Sequence, residues 1–306
     1  MSTVSVVLGD VAVLHGDPRY AGAVFQAASQ FNCLEFRRAD YTPEKGVAAY
    51  VNDRTQGPAC AISCAPGTIV RTYFAHEGEP QTAGKQINTI EEVVTALGDG
   101  ITVTNGYSFS TEEVLKRISN RIPPNPEHWN DLTGKVRVGV QRDTEVTCAK
   151  LRRGGEWVHA RKRTKVTQVY ASAVSVTYSY TADPTLDSKQ EEKRRNRWTQ
   201  IWSKFARLVL RAAYEATLHV ALQVGAKTVV LTALGGGVFG NKPEWIAEAI
   251  EQAVLTFKNA GLKIVFNQFD EKDEVALAIV NRLKEKGLLE HASLGAWPRP
   301  IQMYTE

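Results

Sequence analysis

The chain has 306 residues, 43% of them apolar, enough to bury a substantial core in one large domain or two small ones. Its 37 basic and 33 acidic residues leave a formal charge of +4, too balanced for composition to argue for nucleic acid. Cys33, Cys60, Cys64 and Cys148 lack paired C-x-x-C spacing, the histidines are scattered, and no apolar run approaches the ~18 residues that a membrane span needs. A soluble, cytoplasmic, monomeric protein is expected, with no metal and no required cofactor. Cys60 and Cys64 read as small buried hydrophobes.

Residues 2–8 alternate as a strand does, and 20–31 have the apolar spacing of a helix. Residues 34–40 read as a strand, 43–51 as a helix behind Pro43, and 59–63 as a short buried strand, an alternation that implies a parallel sheet covered by helices. Capped helices are expected at 89–97 and 110–118, and strands at 136–140 and 145–149. A long β-branched strand, 167–179, leads through a polar loop into a helix from about 191 to 224, ending at Gly225. In that helix Trp198, Ile201, Trp202, Phe205, Leu208 and Val209 recur at helical spacing and belong to the core. Residues 262–269 form the last strand and 274–286 the last helix, and the tail at 297–300 is extended. Two segments, 152–165 and 193–197, are dense in basic residues, either as solvated faces or as sites for a phosphate-bearing or acidic partner.

The most informative stretch is Thr232-Ala-Leu-Gly-Gly-Gly-Val-Phe-Gly-Asn241, which joins the apolar strand 227–231 to an amphipathic helix over 243–254. Gly235, Gly236, Gly237 and Gly240 permit positive φ and let backbone N–H groups approach an anion at a helix N-terminus. The spacing fits neither the Walker A loop nor G-x-G-x-x-G. Close packing of strand against helix is the plainer reading of the same glycines.

In this order the elements resemble a macrodomain, the α/β/α module that binds ADP-ribose at the carboxyl ends of its sheet. The family's phosphate loop, Gly-x-Gly-Ile/Val-Phe/Tyr-Gly, is matched by Gly235 to Gly240 through Val238 and Phe239, with Asn241 following. Its Gly-Asp-Ile-Thr turn, whose aspartate receives the adenine amino group, is placed at Asp40 without the glycine. Its Asn-Ala-Ala-Asn loop around the distal ribose is placed at Ser63 and Cys64 without either asparagine. Phe269 and Asp270 end the last strand where family members stack an aromatic on the base. The poly(ADP-ribose) glycohydrolase branch carries Gln-Glu-Glu, whereas Gln86 and Asn88 stand here without that glutamate. The pattern is closer to bacterial effector macrodomains that remove ADP-ribose from an arginine of ubiquitin, and to their eukaryotic relatives.

The resemblance implies a three-layer α/β/α fold with a mixed, largely parallel sheet. The resemblance covers roughly residues 34–286, and one domain is expected over 1–306, with that core, an N-terminal strand–helix extension and an extended C-terminal tail. It implies an ADP-ribosyl hydrolase acting on a modified protein, arguably mono-ADP-ribosyl-arginine on ubiquitin, with ADP-ribose as ligand and product and neither nucleic acid nor membrane as partner. A binding module without chemistry is the alternative. The carboxylates that would activate water or hold the substrate are Asp183, Asp187 and Glu191, and these acids would equally suit a helix cap. Gln86, Asn88 and Ser63 could bond ribose hydroxyls or satisfy loops.

Overall fold

The computed structural model describes residues 1–160, 163–269 and 274–288. Its strands are β1 (Thr3–Leu8), β2 (Val24–Ala28), β3 (Thr102–Thr104), β4 (Tyr107–Phe109), β5 (Gly139–Glu145), β6 (Cys148–Lys150), β7 (Trp157–His159), β8 (Lys165–Ala171), β9 (Thr228–Leu231) and β10 (Lys263–Gln268). The helices are α1 (Val11–Gly16), α2 (Gln56–Ser63), α3 (Ala65–Tyr73), α4 (Glu91–Ala96), α5 (Glu112–Arg121), α6 (Asn130–Thr133), α7 (Ser188–Gln223), α8 (Pro243–Thr256) and α9 (Glu274–Glu285).

Six strands form one sheet in the order β1-β10-β9-β2-β8-β5. Every pairing is parallel except β5 with β8. Alternate residues of the strands feed two cores. Val24, Val169, Val229, Leu231 and Phe266 pack with α7, α8 and α9 on one face, while Phe25, Tyr170, Val230 and Val265 pack with α1 and α2 on the other. Burial on both faces is why these strands are apolar throughout rather than alternating, and it produces the three-layer α/β/α arrangement expected.

Several local expectations are overturned. The segment read as a helix over 20–31 contains β2, and the segment read as a strand over 59–63 is the body of α2. Both are short apolar runs buried on all sides, where periodicity does not separate the two states. Residues 34–40 are irregular, with Leu34 and Phe36 packing against Tyr50 in a satellite core. The helix expected at 43–51 is two 3₁₀ turns, Pro43–Lys45 and Val47–Tyr50, parted by Gly46 at φ +69°. The strand expected over 167–179 ends at Ala171. Residues 3–28, expected as an extension, supply two strands of the sheet itself. The tail at 297–300 lies outside the described residues. Among the described residues no helix is long and apolar enough to cross a membrane.

The chain leaving β2 covers one face with α2, whereas the chain leaving the adjacent β9 covers the other with α8. Connections that part to opposite faces open a crevice at the carboxyl ends of the strands.

Candidate ligand cleft

That crevice is a cleft of about 360 Å³. Its walls come from the end of β2 (Ala28, Ser29, Gln30), from Glu35 to Arg37, from Asp53 with the start of α2 (Thr55 to Pro58), from Tyr107, and from the chain after β9 (Thr232 to Gly235, then Gly237 to Phe239).

Two features press α2 onto the end of β2. Gln56 accepts from Ala28 N–H at 2.7 Å and donates to Gln26 C=O at 2.8 Å. Gly57 allows the approach, since a Cβ there would lie 1.9 Å from the Ala28 carbonyl oxygen. Thr55 is the N-cap but makes no side-chain capping bond, and the N–H groups of Gln56 and Gly57 donate to nothing among the described residues. On the glycine-loop side, Asn241 N–H closes on Gly235 C=O at 3.0 Å and Gly240 N–H on Gly237 C=O at 3.0 Å. The N–H groups of Gly237, Val238 and Phe239 are left without a partner among the described residues. Two sets of unpaired backbone donors therefore belong to residues lining one cleft, a pattern suited to an anion.

Two carboxylates belong to the lining. Asp53 Oδ1 accepts from Thr55 N–H at 2.9 Å and from its hydroxyl at 2.6 Å, which leaves Oδ2 with no donor among the described residues. Glu35 is different: its side chain is 0% exposed and pairs with Arg71 at 2.7 Å. Burial pushes its carboxyl above the ordinary range, and the neighbouring Arg71 charge offsets this only in part. Arg71 also donates to Cys33 C=O at 2.9 Å and sits 4.0 Å from the Tyr170 ring centroid, so the pair is built into the wall behind the cleft. Tyr107 and Phe239, also in the lining, form an aromatic cluster with Tyr178, with centroid separations of 4.6, 5.4 and 5.9 Å.

Of the residues singled out in the sequence, Gly235, Gly237, Val238 and Phe239 line the cleft, with Val238 72% exposed at the loop tip. Gly236, Gly240 and Asn241 shape the loop from within: Asn241 donates to Val174 C=O at 2.8 Å. The others are not in the lining. Asp187 caps α7 in a reciprocal capping box with Gln190, Asp183 closes its own turn onto Thr185, and Glu191 receives the Tyr180 hydroxyl at 2.6 Å. Asp40 is exposed and paired with Arg38 at 2.8 Å. Ser63 and Cys64 are buried at the end of α2, Gln86 bonds Asn32 and Asn105, and Asn88 receives Ile90 N–H at 3.2 Å. Phe269 is 51% exposed at the end of β10, with the Arg153 guanidinium 4.5 Å from its ring centroid. Asp270 lies outside the described residues.

Two motif placements move with the strands. The strand that ends in Gly-Asp is β1, followed by Gly9-Asp10-Val11, not the irregular segment before Tyr41. Asp10 is buried, accepting from Ala12 N–H at 3.0 Å and from Lys150 at 3.0 Å. The strand that ends at the cleft in an Ala-Ala pair is β2, at Gln26-Ala27-Ala28-Ser29, not residues 62–67. Asp53, Gln56 and Gly57 were missed, although Thr55 before an apolar run with Pro58 in its first turn is a helix-start signal. The cysteines are free, and burial raises the Cys33 thiol to about 12, which fits the packing role expected of Cys60 and Cys64 as well.

No protein-family model and no curated protein matches this chain. Solved structures that resemble it include poly(ADP-ribose) glycohydrolase from Deinococcus radiodurans in complex with ADP-ribose, at 12% identity and TM-score 0.40, covering 93% of this chain and 85% of that one. The glycohydrolase from Thermomonospora curvata is similar at 14% identity and TM-score 0.45, over 92% of this chain and 76% of that one. Its complex with the inhibitor ADP-HPD gives 14% and 0.43, over 92% and 79%.

Proposed function

We propose that the cleft binds ADP-ribose, as its macrodomain-like sequence pattern implies, and that the protein hydrolyses an ADP-ribosyl bond on a modified protein. The observation that carries this reading is that two sets of unpaired backbone donors line one cleft, Gln56 and Gly57 at the start of α2 and Gly237 to Phe239 in the glycine loop. Together they form a clamp for a diphosphate that uses no lysine and so leaves the reacting sugar free of a competing cation. The base then runs toward the ends of β10 and β1, where Phe269 offers an aromatic face, and the distal ribose lies toward Asp53, Tyr107 and Phe239.

Asp53 is the lining carboxylate whose free oxygen belongs to a partly exposed side chain, Glu35 Oε1 being unpartnered but buried, and it takes the part assigned from sequence to Asp183, Asp187 or Glu191. It draws the proton from a water that attacks the anomeric carbon. The bond to the protein side chain breaks with its electron pair going to the leaving nitrogen or oxygen, which takes up the proton that Asp53 received from the water, through an oxocarbenium-like transition state. Arginine-linked ADP-ribose on ubiquitin remains the first substrate to try, but the acidic loop that motivated arginine does not line the cleft, so other linkages stand beside it.

Calorimetry with ADP-ribose tests the clamp, and release of ADP-ribose from ADP-ribosyl-arginine ubiquitin tests the chemistry. Asp53→Asn should bind ADP-ribose as the wild type does while losing at least about a hundredfold in release. Binding with no release from arginine-, serine- or glutamate-linked substrates would make the protein a reader instead.

A further inference from the structure

The helix α7 is 36 residues long, but its first buried residue is Trp202. Trp198 and Ile201 are the first side chains to pack against the core, so about ten residues, roughly 15 Å of helix, precede the packed part. Between Ser188 and Arg197 this overhang carries five cations, Lys189, Lys193, Arg194, Arg195 and Arg197, against the acids Glu191 and Glu192. Arg197 is held by Glu112 at 2.6 Å, and Arg194 lies 3.8 Å from Glu191. Lys189, Lys193 and Arg195 are exposed and meet no carboxylate among the described residues.

Lys189 lies in the first turn, where the helix's partial positive charge disfavours a cation, and Lys189 and Lys193 are like charges four residues apart, so helix stability does not explain them. The overhang also has a defined place. Trp198 Nε1 donates to Val176 C=O at 2.9 Å, Thr177 N–H donates to Phe239 C=O at 3.3 Å, and the Tyr178 ring packs on Phe239. The helix thus passes the aromatic cluster of the cleft at Trp198, beside the place where the distal ribose and whatever it is attached to would lie.

Resting on the ADP-ribosyl reading of the cleft, we propose that the overhang of α7 is the docking surface for the modified macromolecule, and that this partner is a protein presenting acidic residues around its ADP-ribosylated side chain. The aromatic rings here, Tyr180 and Trp198, are engaged by Arg194 and Arg195 and by Val176 rather than displayed for base stacking, which favours an acidic protein over a nucleic acid.

The test uses two synthetic peptides with the same ADP-ribosyl-arginine, one flanked by glutamates and one by glutamines, together with free ADP-ribosyl-arginine. Wild-type kcat/KM should favour the glutamate peptide by about tenfold at low salt, falling toward parity at 0.5 M salt as rim charges are screened. The triple variant Lys189→Glu, Lys193→Glu, Arg195→Glu should lose that preference while hydrolysing free ADP-ribosyl-arginine at the wild-type rate. The variant's unfolding midpoint and its retained turnover of free ADP-ribosyl-arginine separate loss of the surface from loss of the fold. Equal kcat/KM for both peptides in the wild type, or an equally selective variant, overturns the proposal. If no substrate is hydrolysed, the chemistry fails on its own, and fluorescence anisotropy of the glutamate peptide without ADP-ribose still decides the docking surface: binding lost in the variant supports it, and no binding by the wild type overturns it. Binding of a single-stranded oligonucleotide that the triple variant abolishes would assign the overhang to nucleic acid and also overturn it.

Discussion

At Gly235 the backbone has φ +70°, and a Cβ would lie 2.5 Å from both Ala173 Cβ and Asn241 Nδ2, whereas a Cβ on Gly237 would meet nothing within 4 Å. The two glycines are thus separable by substitution. Gly235→Ala should lower stability by about 1–3 kcal/mol in denaturant unfolding. Gly237→Ala should leave the unfolding midpoint unchanged yet weaken ADP-ribose binding by about tenfold in calorimetry, because its methyl group enters the proposed clamp. The opposite pattern would remove the glycine loop from the site. His15 makes a separate prediction. It is buried, stacked on Phe25 at 4.0 Å, and burial lowers its pKa to about 4 from an ordinary 6.5. Gln168 Nε2 lies 3.0 Å from its Nε2 and Val11 C=O 2.8 Å from its Nδ1, an arrangement that uses the neutral ring with the proton on Nδ1. The unfolded chain binds the extra proton first, so this contribution is present above pH 6.5 and is lost as pH falls toward 4, up to about 3 kcal/mol in all. Stability measured from pH 7 to pH 4 should therefore fall less steeply in His15→Gln than in the wild type.

The acids of the α7 loop act on their own helix. Asp187 accepts from Lys189 N–H at 2.9 Å and from Gln190 N–H at 2.8 Å, with Gln190 returning the bond. Asp187→Ala should cost about 1 kcal/mol of stability and leave turnover unchanged; a large loss of turnover with little change in stability would return Asp187 to the chemistry. Behind the cleft, Arg71 ties α3 to Glu35, Cys33 C=O and Tyr170. Arg71→Met should destabilise by about 3–5 kcal/mol, read from the denaturation midpoint, since it leaves a buried carboxylate unpaired. The long amphipathic helix and its end at Gly225 were legible in the sequence because solvent covers one face and core the other, which imposes a period on the residues. In β2 and α2 both sides are buried, so Val24-Phe25 and Ala59-Cys60-Ala61 carry no period to read.

Across the whole molecule, a ligand that grips α2 and the glycine loop together holds β2 and β9 against each other at the centre of the sheet. ADP-ribose at a hundred times its Kd should stabilise by about 2.7 kcal/mol, visible as a concentration-dependent rise in Tm, and no rise at any concentration would count against the clamp. The amino-acid sequence by itself determined the α/β class, the long helix, the strand–glycine loop–helix unit from Thr228 to Thr256 and the buried state of Cys60 and Cys64, because each follows from local pattern and side-chain chemistry. Tertiary structure alone decided which residues share the cleft. Asp53 and Gly237 stand far apart in the chain and meet only because the connections after β2 and β9 part to opposite faces of the sheet. Asp183 and Asp187 looked equally apt by residue type, and backbone N–H groups a few residues away claim them first.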